Sequence, residues 1–133
     1  MIMNASPSQP VSPLRVEHSS GVTIARFKSS ALLGAEIEVV GHELQRLIED
    51  DPPPRIVVNL RGVVQMSSNM LAMLVTLNKA VADRRGCLVL CELTPQVRGL
   101  LGATRLEDRF AISDEEPDAV ARCAQAATGS GES

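Results

Sequence analysis

The chain has 133 residues, with 13 Lys and Arg against 16 Asp and Glu and a formal net charge of −3. Two Phe and no Trp or Tyr exclude the aromatic platforms on which single-stranded nucleic acid stacks. Arg84-Arg85 is the one adjacent basic pair, too little for a duplex-binding face, so no nucleic-acid partner is expected.

Residues 1–13 are rich in Ser and Pro without periodicity and read as a disordered lead-in. Val22 to Phe27 alternates as a half-buried strand does, and Leu14 to His18 is placed to pair with it across Ser19-Ser20-Gly21. Ile37, Val40, Leu44, Leu47 and Ile48 then fall at helical spacing, with Glu36, Glu38, Glu43 and Glu49 outside. Pro52-Pro53-Pro54 ends that helix, because proline removes a donor and clashes with the preceding turn.

Ile56-Val57-Val58 is an unbroken apolar run, the mark of a strand buried on both faces. Gly62 permits a bend that a side chain would resist. Ser67 and Ser68 sit where the next helix starts, and either one suits an N-cap. Met70, Leu74, Leu77 and Val81 form one face of that helix, and Gly86 is read as its terminator. Cys87 to Leu93 is a further strand, and strand, helix and strand with short links predict a parallel crossover. Thr94-Pro95 opens a short helix, with Gly102 read as its end. Leu106–Ile112 leads to an edge strand, and Asp114-Glu115-Glu116 places carboxylates at the start of a last helix. Val120, Cys123 and Ala127 give that helix its apolar face. One domain is expected over residues 14–127, with a flexible tail at 128–133.

Three cysteines, an odd number in strand and helix segments, suit a reducing compartment. No apolar run reaches the roughly 20 residues of a membrane span. Met1-Ile2-Met3 is too short for a signal-peptide core, so a cytoplasmic location without membrane insertion is expected. Cys87 and Cys91, four apart, read as packing residues rather than metal ligands. His18 and His42 lack a Ser or Cys partner at catalytic spacing. Neither a phosphate loop nor a carboxylate pair placed for acid–base work is present. No enzyme activity, catalytic residue, cofactor or metal is expected.

The stretch Gly62-Val63-Val64-Gln65-Met66-Ser67-Ser68-Asn69-Met70-Leu71-Ala72-Met73-Leu74 resembles the signature region of STAS domains, the fold of bacterial anti-sigma factor antagonists. Gly62, Val63, Met66, Ser68, Leu71 and Leu74 match it in register. Leu90–Arg98 and Thr104–Phe110 look like the family's strand-to-helix link and late segment, so the likeness covers about residues 15–125. It implies an α/β, STAS-like fold: a mixed four- to five-stranded sheet packed with about four helices. It also implies a protein partner, an anti-sigma factor of kinase-like fold, captured in a partner-switching pathway that regulates transcription. The contact face would be Met66, Ser67, Ser68, Asn69, Met70 and Met73 on a monomer or weak homodimer. The family alternatives are an accessory subunit of an ABC-type membrane transport assembly and small-molecule binding at the same loop.

In the phosphorylatable members an Asp precedes the Ser pair, the second Ser accepts the phosphate and glycines follow. Here those positions hold Ser67, Asn69, Met70 and Ala72. Ser68 remains a phosphorylation candidate beside its reading as a cap. Asn69 reads either as a first-turn helix residue or as the mark of a domain held in its unphosphorylated, binding form. Met70 lies on the core stripe, and Met73 suits core or surface.

Overall fold

A computed structural model of the chain describes residues 14–34, 36–50 and 53–129. The expected lead-in and the last four residues of the expected tail lie outside these. The antiparallel hairpin of β1 (Leu14–Ser19) and β2 (Val22–Phe27) turns through Ser20 and Gly21, at φ of 55° and 77°. Two residues of positive φ make the tight turn whose twist matches that of the strands. Then come β3 (Ala31–Leu32), α1 (Glu36–Asp50), β4 (Arg55–Asn59), β5 (Gln65–Met66), α2 (Ser68–Asp83) and β6 (Cys87–Cys91). The chain continues through α3 (Pro95–Ala103), a 3-10 turn at Glu107–Arg109, β7 (Ala111–Ser113) and α4 (Glu116–Gly129), which enters the expected tail.

The main sheet has five strands in the order β1-β2-β4-β6-β7, and each pairing after the first is parallel. The expected mixed sheet is present, with β4 central and parallel to β6. Val57 stands between Ile24 and Val89 in the register. Alternation along β4 then divides the core. Ile56 and Val58 face the large cluster with Val40, Leu44 and Ile48 of α1 and Met70, Leu74, Leu77 and Val81 of α2. Val57 faces the other way, with Val22, Ile24, Val89 and Cys91, under Ala119 and Cys123 of α4. The α4 contact is therefore set by Ala119 and Cys123, with the expected Val120 packing at its margin.

Two helix ends differ from the sequence reading. α2 ends in a Schellman motif in which Gly86 N–H donates to Val81 O and Arg85 N–H to Ala82 O. The left-handed residue is Arg85, at φ 60°, not Gly86. α3 ends in the same way at Arg105, φ 61°, with Arg105 N–H on Gly102 O and Leu106 N–H on Leu101 O, so Gly102 lies inside the helix. Gly86 is needed for another reason. A Cβ there would run into the carbonyl oxygen of Pro54, which accepts the Cys87 N–H that starts the β4–β6 ladder.

Candidate functional site

The loop from β4 into α2 begins where β4 leaves the sheet. Leu60 N–H still reaches Cys91 O at 3.0 Å, and Gly62, at φ 82°, takes the bend expected of it. Val63 turns into the core, its carbonyl accepting the Thr94 hydroxyl at 2.6 Å. Thr94 also caps α3, accepting Val97 N–H at 3.3 Å, so one hydroxyl ties the start of α3 to this loop. Val64 and Gln65 N–H both donate to Ser30 O, and Ser67 N–H donates to Leu32 O. β5 pairs in parallel with β3, Ala31 opposite Gln65 and Leu32 opposite Met66. This two-residue ribbon is too short to leave a period in the sequence. It holds the chain at the point where α2 starts.

Ser67 is the N-cap, its hydroxyl accepting Met70 N–H at 3.2 Å. That leaves Ser68 and Asn69 exposed on the first turn of α2. Met66 is half-buried against the core. Met70 corrects the expected contact face: it is fully buried in the main core cluster and offers no surface. Met73 is half-buried and lies over Gly41, where an added Cβ would fall 2.7 Å from its sulfur. With Ile37, Glu38, His42 and Gln45 it lines a shallow groove of about 420 Å³ between α1 and α2. Two apolar side chains that the sequence reading passed over stand out beside the same loop, Leu33 at 44% exposed and Val64 at 42%. Each is one residue outside the ribbon, a position that only the β3–β5 pairing reveals.

A polar network fixes the sheet at this same edge. Asn59, buried at the end of β4, accepts Arg61 N–H through Oδ1 and donates through Nδ2 to Glu116, both at 2.8 Å. Glu116 also receives Arg26 Nε at 2.8 Å and Nη2 at 2.6 Å, and Arg26 reaches Glu17 on its other side. The Arg26 bonds, helped by Asn59, hold the Glu116 carboxyl below the usual carboxylate range against the opposing effect of burial. Glu92, at φ 54° after β6, accepts the Glu116 N–H at 3.0 Å and so caps α4 from another element. These groups surround a cavity of about 350 Å³ with Phe27, Arg61 and Pro117. Sequence reading placed Glu116 on the helix dipole and missed Arg26, Asn59 and Glu92, whose partners lie 24 to 90 residues away. Among the described residues no group of three or more His, Cys, Asp or Glu is placed to hold a metal. No helix among them is long and apolar enough to cross a membrane.

The sheet order, the loop held over α2 and the two-sided packing define an α/β domain with helices on both faces of a mixed sheet. The STAS domain profile matches residues 13–119, and the chain belongs to the STAS domain family. Among solved structures it is similar to an anti-sigma-factor antagonist STAS domain protein of Planctomyces limnophilus. That pair shares 22% identity and a TM-score of 0.78 over 84% of this chain and 97% of the other. A candidate anti-sigma factor antagonist of Thermotoga maritima is 17% identical, with a TM-score of 0.62 over 83% of this chain and 93% of the other. At these identities the likeness is one of fold. No curated protein matches the chain.

Proposed function

We propose that this STAS domain works by binding, capturing an anti-sigma factor of kinase-like fold in the cytoplasm and so releasing a sigma factor, without control by phosphorylation. The observation that carries this reading is the exposed first turn of α2. Ser68 and Asn69 are exposed there, and Val64 and Leu33 are exposed at the two ends of the β3–β5 ribbon, which backbone hydrogen bonds hold in place. A surface ordered before binding loses little conformational entropy on docking. Exposed Met73 atoms in the α1–α2 groove add an adaptable apolar contact. Asn69 occupies the family's acceptor position and has no hydroxyl to modify, so the binding form is permanent.

The test is a pull-down with the tagged chain from its native cell, partners identified by mass spectrometry, followed by titration of the recovered partner. Recovery of a kinase-fold anti-sigma factor is expected, with affinity falling at least about tenfold in Val64→Glu and in Met73→Glu. Recovery of a transport ATPase subunit instead would replace the anti-sigma reading. Unchanged affinity in both folded variants would move the interface to another face.

A further inference from the structure

Under α4, the second core cluster contains all three cysteines, with Cys87 at its margin. Cys87 opens β6 and is partly buried, whereas Cys123 lies on the inward face of α4 and is fully buried. Their sulfurs are 2.9 Å apart, with Cys123 donating its S–H to Cys87. That is inside the ordinary contact of two unbonded sulfurs, and only about 1 Å longer than a covalent S–S bond. Cys91 sits four residues further along the same face of β6, and it is a free, buried thiol.

We propose that Cys87 and Cys123 form an oxidative modification site, which a peroxide converts into a disulfide joining α4 to β6. The roles follow from the surroundings. The S–H of Cys123 favours the thiolate of Cys87, and the nearby Arg122 charge acts in the same direction, together outweighing burial. Cys123 is pushed the other way by the same pairing and by its burial, so it waits as a thiol. The Cys87 thiolate attacks a peroxide oxygen, the O–O bond breaks, and hydroxide leaves and takes up a proton. Cys123 then gives up its proton, its sulfur attacks Cys87 sulfur, and the S–O bond breaks with loss of water. Two thiols thereby lose two electrons and two protons, and hydrogen peroxide becomes two waters. Burial chiefly, then the charges of Glu92 and Glu116, push Cys91 up to about 12, which leaves it the unreactive control.

The full-length chain, reduced and then treated with a small excess of hydrogen peroxide, is read by intact mass and by a non-reducing peptide map. The expected product has lost two hydrogens, links the peptides holding residues 87 and 123, and reverts with dithiothreitol. Its melting temperature rises by roughly 10 °C, since the bond constrains a long loop of the unfolded chain. Cys91→Ala should oxidise as the wild type does, while Cys87→Ala and Cys123→Ala each abolish the link. Cys87→Ala alters a partly buried position at the margin of the cluster and keeps that arm readable if the fully buried Cys123→Ala fails to fold. The proposal is overturned by oxygen adducts that persist on Cys87 with Cys123 still open to alkylation on denaturation. A link through Cys91 or between chains would overturn it too, as would an unmodified Cys87 at a dose that oxidises free cysteine.

Discussion

Arg26 on β2 holds Glu116 at the first turn of α4 through two hydrogen bonds of 2.8 and 2.6 Å, across 90 residues of sequence. The ion pair is partly buried, and Asn59 and Glu92 complete it from the ends of β4 and β6. Three parallel strands and a helix on the far face are thus joined at one point. Removing one partner costs more than the pair is worth, because the other charge stays behind without its counterpart.

Glu116→Gln should therefore destabilise the domain by about 1 kcal/mol at neutral pH, and Arg26→Met by about 2 kcal/mol. The pH dependence has a definite sign. Glu116 titrates below its ordinary 4.5 when folded, so its contribution is present above that pH and is lost as pH falls through the lower folded value. Urea denaturation from pH 7 downward should show wild type and Glu116→Gln converging in acid. A constant gap would remove the ion pair as its source.

Gly86→Ala should be severely destabilising, by roughly 3 kcal/mol, because the obstacle is the Pro54 backbone carbonyl that the β4–β6 ladder needs. Gly99→Ala is the matched control: nothing lies within 4 Å of its added Cβ, on an exposed turn of α3. It should stabilise by about 0.5–1 kcal/mol through helix propensity. Opposite shifts in melting temperature are the expected result.

Arg105→Gly should stabilise by roughly 0.5 kcal/mol. Its left-handed φ of 61° is costly for a residue with a Cβ, and glycine's larger unfolded-state entropy offsets only part of the gain. Calorimetric melting checks it, and a lower melting temperature would mean that the arginine side chain makes up for its backbone.

An anti-sigma kinase with ATP should leave the intact mass of the wild type unchanged, since Asn69 stands at the acceptor position and Ser67 is occupied as the cap. A family-like acceptor is better rebuilt at positions 67 and 69 than at position 70. Met70 fills the core, so restoring the family's glycine there by Met70→Gly would open a cavity costing about 2–5 kcal/mol. Ser67→Asp with Asn69→Ser is the better pair, because Asp also caps a helix. Phosphate mapped to Ser68 in the wild type would show that the acceptor had moved by one residue.

The strands and helices were legible where one physical pattern dominates over enough residues. Ile56-Val57-Val58 gave the central strand, the Met70–Val81 stripe gave α2, and Thr94-Pro95 gave the start of α3. Legibility failed where the cause was tertiary. Gly86 resembles an ordinary helix terminator, yet it is there for Pro54, and Arg85 takes the strained conformation. Leu33 and Val64 carry no local signal, and their exposure follows from a ribbon of two residue pairs. Of the loop, the cap at Ser67 was one of two options open in sequence, and the bond from Met70 N–H decides between them.

The bonds that hold the approach to α2 run from backbone to backbone, at Ser30, Leu32, Val64, Gln65 and Ser67, with Thr94 gripping a carbonyl. None of them uses the side chains of Val64, Gln65, Ser68 or Asn69. The shape of this edge is consequently independent of the residues that decorate it. Under the proposed binding reading, partner preference would be rewritten there by single substitutions at almost no cost in folding, as letters are changed on a fixed page.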